Sequence, residues 1–132
     1  TILQEYGLKI AIDAMCEQMS GRTHFLCKVV GTHTKLEKYL ELAVYRIVQE
    51  LMNNVYKHAE ATEATVRIHV HKKSIKLRVE DNGKGMSHTT PSKPGIGLAS
   101  IRSKIQLLNG DVDIDSTHGK GTVVNITIPM PQ

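Results

Sequence analysis

Apolar residues along the chain follow two rhythms. In three stretches they recur every three or four positions, the spacing of one helix face. Leu8, Ile12, Met15 and Met19 make the first, stopped by Ser20-Gly21, and predict a helix over residues 7–19. Leu40, Val44, Ile47, Leu51 and Val55 make the second, which is expected to end near Ala59. Thr34 and Glu37 ahead of it have the spacing of a capping box. Leu98, Ile101, Ile105 and Leu108 make the third, with Gly110 as its expected C-terminal cap.

Elsewhere the rhythm is two, the mark of a strand with one dry face. A short strand is expected from His24 to Val30, closed by Gly31. Val66, Ile68 and Val70 alternate with Arg67, His69 and His71. Ile75, Leu77 and Val79 alternate with Lys76, Arg78 and Glu80, and the short Lys73-Ser74 link predicts a hairpin. Val112 and Ile114, then Thr122, Val124, Ile126 and Ile128, are the inward sets of two last strands. One-sided strands and one-sided helices have an economical solution: a two-layer α/β sandwich, a mixed sheet with helices on one face. The element order does not suit a doubly wound parallel sheet. With no repeat, low-complexity tract or linker, residues 1–132 read as a single domain.

Composition changes this picture little. No apolar run is long enough to span a bilayer, and Gln4, Glu5 and Lys9 break up any signal-like start. The start at Thr1 reads as that of a fragment. The expected location is cytoplasmic, with any membrane anchor of a parent protein outside these residues. The formal net charge of +4 fits an anionic partner. The basic residues are scattered, with little aromatic interleaving, so the reading is no nucleic acid. Cys16 and Cys27 have no metal-site spacing and are expected to be reduced core thiols. His69 and His71 share a wet strand face without an evident third ligand, and read as surface residues.

Three segments are polar where packing does not require it. Glu50, Asn54 and Lys57 lie at i, i+4 and i+7, one stripe of the second helix. A carboxylate, an amide oxygen and an ammonium in line suit a magnesium phosphate group, and equally a solvated helix face. In Asp81-Asn82-Gly83-Lys84-Gly85-Met86, strand parity points Asp81 the same way as Ile75, Leu77 and Val79. A carboxylate there needs a donor, such as an exocyclic base amine, although Asp-Asn-Gly is also ordinary turn chemistry. Gly95-Ile96-Gly97-Leu98 opens a helix whose free N–H groups favour anions. It is neither a P-loop nor a dinucleotide fingerprint.

In order and spacing, these segments together resemble the GHKL ATPases, which include gyrase, the heat-shock chaperone, histidine kinases and the mismatch-repair ATPase. The run from Glu50 through Asn54 and Lys57 to His58 and Ala59 is similar to the N box. Asp81 to Met86 is similar to the G1 box, and Gly95 to Leu98 to the G2 box. Gly119-Lys120-Gly121-Thr122 is similar to the closing Gly-Thr motif. Tyr45 to Glu50, Ile101-Arg102 and Leu108-Asn109-Gly110, with a short lid between the G1 and G2 boxes, resemble the nitrate-sensor-like subgroup of bacterial sensor histidine kinases. The resemblance runs from Gly7 to Pro129.

The resemblance implies a Bergerat-type ATP-binding fold with ATP and Mg²⁺ as cofactors, and transfer of the γ-phosphate to a histidine in two-component signalling. It implies that Asn54 ligates Mg²⁺ and that Glu50 orients a metal-bound or attacking group. Lys57 would contact phosphate, His58 would line the pocket, and Asp81, supported by Thr122, would accept from the adenine amine. Gly83, Gly85, Gly95 and Gly97, with Met86 and Leu98, would shape pocket and lid, and Arg102 would be a further phosphate contact. A lid rich in Ser, Thr and Pro, with Pro91 and Pro94, is expected to be poorly ordered without nucleotide. Neither His24 nor His33 has the context of the phosphorylated histidine. The expected partners are therefore a histidine-bearing dimerisation helix of the parent kinase and, through the full-length protein, a response regulator. The alternatives are an anti-sigma-type serine kinase, an ATP hydrolase of the same superfamily, and a non-catalytic nucleotide-binding regulatory module.

Overall fold

A computed structural model describes residues 2–31, 34–84, 98–116 and 119–131. A short helix α1 (Ile2–Tyr6) leads into α2 (Leu8–Met19), then β1 (His24–Val30). The long helix α3 (Lys38–Asn54) runs on into one π-helical turn (Val55–Ala59). The hairpin β2 (Glu63–Val70) and β3 (Ser74–Asp81) follows, then α4 (Leu98–Leu107), β4 (Asp111–Ser116) and β5 (Thr122–Pro129). The five strands form one sheet in the order β1-β2-β3-β5-β4. Among the described residues only β1 and β2, joined across α3, pair in parallel. The expected mixed sheet is therefore present.

One side of the sheet carries the core. Val66, Ile68, Ile75, Leu77, Ile126 and Ile128 are buried against Ile12 of α2, Val44, Ile47 and Val48 of α3, and Ile101 and Ile105 of α4. The intervening strand residues face outward and are polar on β2 and β3. Among the described residues no helix is long and apolar enough to cross a membrane.

Three local expectations are corrected. Thr34 does not cap α3: its N–H donates to the Gly31 carbonyl at 3.0 Å, so it is spent in the turn that ends β1. The helix starts later, with Glu37 at the N-cap position and no side-chain cap bond. Gly110 is not the left-handed residue that ends α4; Asn109 takes that place with φ 58°. The N–H of Asn109 donates to Gln106 and that of Gly110 to Ile105, the paired bonds of a Schellman ending. Cys16 and Cys27 are not separate thiols. They are joined as a disulfide between α2 and β1, their Cα atoms 6.5 Å apart, because α2 folds back on the strand that follows it.

Candidate functional site

The site begins where α3 changes pitch. Glu50 and Asn54 sit one turn apart and half-buried at its end. The π-helical turn then carries Lys57 and His58, both exposed, and Glu60 closes it in the left-handed conformation with φ 54°. Such turns leave carbonyls that the helix cannot satisfy. Two are met from outside. Arg22 donates to the Tyr56 carbonyl at 2.9 Å, its guanidinium 5.4 Å from the Tyr56 ring centre. The Lys84 N–H donates to the Ala59 carbonyl at 2.7 Å. That bond ties the segment after β3 to the end of α3.

Asp81 ends β3 on the dry face, 8% exposed, as parity requires. Thr122 is its direct register partner on β5, so both point the same way. The Gly83 N–H donates to Asp81 Oδ1 at 2.8 Å. Burial pushes the Asp81 carboxyl above its ordinary pKa; the N–H groups of Gly83 and Thr122 oppose the rise, and neighbouring Glu80 adds to it. The Thr122 hydroxyl shares a 2.9 Å hydrogen bond with Ser116. Gly83 lies against the Ala59 backbone, where a side chain has no room. Asn82 pins the corner: its Oδ1 accepts from the N–H groups of Thr62 and Glu63, both at 3.0 Å.

On α4, Leu98 is half-buried and Arg102 is exposed. The carboxylate of Glu50 is held by Lys104, not by Arg102. The structure thus gathers Asp81, Gly83 and Thr122 into one cluster that abuts the end of the α3 stripe, and links Glu50 to α4. Gly85, Met86, Gly95 and Gly97, with the lid and its expected disorder, lie outside the described residues. Sequence reasoning missed Lys104, Ser116 and the structural part of Asn82. Lys104 pairs with a residue 54 positions away, which no local pattern announces. Because both partners are partly in water, Lys104→Ala is expected to lower stability by less than about 1 kcal/mol, read from a urea midpoint. Among the described residues no three metal-ligating side chains of His, Cys, Asp or Glu converge.

Comparison with known proteins gives a consistent result. Residues 39–132 match the family model described as histidine kinase-, DNA gyrase B- and HSP90-like ATPase. The chain is 32% identical over 119 residues to the signal transduction histidine-protein kinase/phosphatase DegS of Bacillus subtilis, covering 86% of this chain and 31% of that protein. It is 32% identical over 128 residues to the sensor histidine kinase LiaS of Bacillus subtilis, covering 97% of this chain and 36% of that protein. The chain therefore spans about a third of the length of these curated relatives. A blue-light activated histidine kinase of Erythrobacter litoralis superposes with a TM-score of 0.70 at 21% identity, covering 94% of this chain and 41% of that one. At that identity the likeness establishes the fold.

Proposed function

This chain belongs to the histidine kinase-, DNA gyrase B- and HSP90-like ATPase family, and from that premise we propose that it is the ATP-binding catalytic domain of a sensor histidine kinase. The observation that carries the reading is the buried Asp81 carboxylate, set opposite Thr122 and fixed by the N–H of Gly83. An adenine amine is a donor that the carboxylate can take beside the Gly83 N–H, and Gly83 lets the segment after β3 pack onto the Ala59 backbone, which holds that carboxylate in place. The same cluster is joined through Ala59 to the turn bearing Lys57 and His58. A nucleotide held at Asp81 would reach along α3 with its phosphates.

Glu50 and Asn54 offer hard oxygen donors one turn apart, which fits Mg²⁺. The ion, when bound, supplies neutralisation of phosphate charge. The chain's own residues position the rest: Asn54 would hold the ion, Lys57 would meet a phosphate oxygen, and His58 would flank the nucleotide. Glu50, released from or shared with Lys104, would orient the group that attacks. Gly85, Met86, Gly95, Gly97, Leu98 and Arg102 would complete pocket and lid.

The acceptor would be a histidine on a dimerisation helix of the parent kinase, with a response regulator as the partner of the full-length protein. Support comes from the sensor-kinase relatives and from the lack of acceptor context around His24 and His33. The short span between the G1 and G2 boxes favours the nitrate-sensor-like subgroup.

Calorimetric titration with a non-hydrolysable ATP analogue tests the site. Wild type is expected to bind more tightly with Mg²⁺ than without it. Asn54→Ala is expected to lose that difference, roughly tenfold, while keeping its metal-free affinity. A folded wild-type chain that shows no nucleotide binding would favour a vestigial, regulatory module instead.

A further inference from the structure

The face of the sheet turned away from the helices is not a neutral solvent surface. The register stacks like charges across it. Lys28 on β1 lies opposite Arg67 on β2, and Arg67 lies opposite Arg78 on β3. In the next row, His69 lies opposite Lys76. Neighbouring strands are about 4.8 Å apart and alternate residues about 6.7 Å. Four permanent cations and a histidine thus share a patch of roughly 10 by 7 Å.

Like charges directly opposite one another destabilise a sheet, and nothing in the core calls for this row. Neutralisation is sparse. Arg78 has Glu80 at 3.4 Å, both exposed; among the described residues no carboxylate pairs with Lys28, Arg67 or Lys76. The ring of His71 stacks on that of His69, centres 3.7 Å apart, at the margin of the patch. Burial, His69 and Lys76 all hold the His71 pKa below its ordinary value. The long basic side chains wall a cavity of about 650 Å³, floored by β2 and β3 and bounded by Asn125 and Thr127 of β5. That volume is in the range of small-molecule sites.

We infer that this cationic hollow is a second anion site, which takes a compact molecule bearing several phosphate groups on the side of the sheet opposite Asp81. Two features select that class. Beyond Asn125 and Thr127 the register reaches Asp113 and Asp111 of β4, so a polyanion longer than the patch runs onto carboxylates. No Phe, Tyr or Trp lies among the lining residues, so a run of unpaired bases has only the two imidazoles and the guanidinium planes to stack on. Four fixed positive charges match the charge of an oligophosphate better than that of a di- or tricarboxylate. Arg67 and Arg78 supply the fork that grips phosphate oxygens in pairs.

The test is calorimetric titration with sodium tripolyphosphate at low salt, using wild type and the double variant Arg67→Gln/Lys76→Gln. Both positions are exposed, and relief of like charges should leave the melting temperature of the variant equal or higher. The expected result is wild-type binding that weakens at least about tenfold in the variant, with equal affinity of both proteins for the ATP analogue. No tripolyphosphate binding, or equal binding by both proteins, overturns the inference. So does an equal loss of tripolyphosphate binding in Lys57→Gln, which would put the anion in the nucleotide site. Citrate binding as tightly as tripolyphosphate would remove the preference for phosphate. A short DNA duplex that binds more tightly, and is lost in the same variant, would make the face a nucleic-acid surface.

Discussion

Asp81→Asn is expected to weaken binding of an ATP analogue roughly 30- to 150-fold, about 2–3 kcal/mol, without destabilising the ligand-free chain. The two halves of this expectation come from one fact. The carboxylate is 8% exposed, and burial raises its pKa despite the N–H groups of Gly83 and Thr122. A carboxyl with a raised folded-state pKa favours folding only at pH below its unfolded value. That contribution is lost as pH rises through the folded value. At neutral pH the ionised group therefore works against the fold until a ligand donor meets it. Asn keeps an oxygen for Gly83 and removes the charge. Its melting temperature should equal or exceed that of wild type at pH 7, with the difference narrowing toward pH 4. Calorimetry and thermal melts on the same samples read both halves. A variant that loses binding and melts well below wild type would mean that Asp81 is chiefly a structural residue.

Gly121→Ala should be among the most damaging single methyl additions at the described glycines, alongside Gly31→Ala. Gly121 has φ 89°, and a Cβ there would overlap the Asp81 carbonyl oxygen across the β3–β5 pairing. The left-handed conformation costs an alanine about 1–2 kcal/mol. The overlap adds to it, because two paired backbones must part. The expected total is about 3–4 kcal/mol, a fall in melting temperature on the order of 10–15 °C for a chain of this size. Gly119 provides the control. Its φ is 83°, yet no described atom lies within 4 Å of its would-be Cβ. Gly119→Ala should cost only the conformational part, about 1–2 kcal/mol. Equal losses in the two variants would show that strain, not contact with β3, decides the need for glycine.

Much of this was legible in the residues, for identifiable reasons. Period-two alternation in β3 fixes the side of the sheet that Asp81 faces, and the burial of Ile75, Leu77 and Val79 bears that out. The three helical stripes mark the faces that pack, so the two layers follow. What was not legible depends on partners distant in sequence. Nothing near Lys104 announces Glu50. Thr34 and Glu37 have capping-box spacing, but the turn after Gly31 uses the Thr34 N–H first. The α3 stripe continues smoothly through Val55, so its apolar spacing does not reveal the change to π pitch. The basic residues look scattered along the chain because each strand contributes only one or two; strand register gathers them. The cysteines gave no spacing signal, since their pairing follows from how α2 folds back on β1.

Strand β4 closes one side of the sheet, and its outward positions are Asp111, Asp113 and Asp115. An unpaired strand margin is a template on which another molecule's margin can add, the first step of aggregation. Here every second residue along that template is a carboxylate. Two copies meeting through β4 would bring six of them into a single ladder, with like charges at strand-to-strand distance. The alternation that turns Val112 and Ile114 toward the core therefore also sets like charges against edge-to-edge addition at this margin.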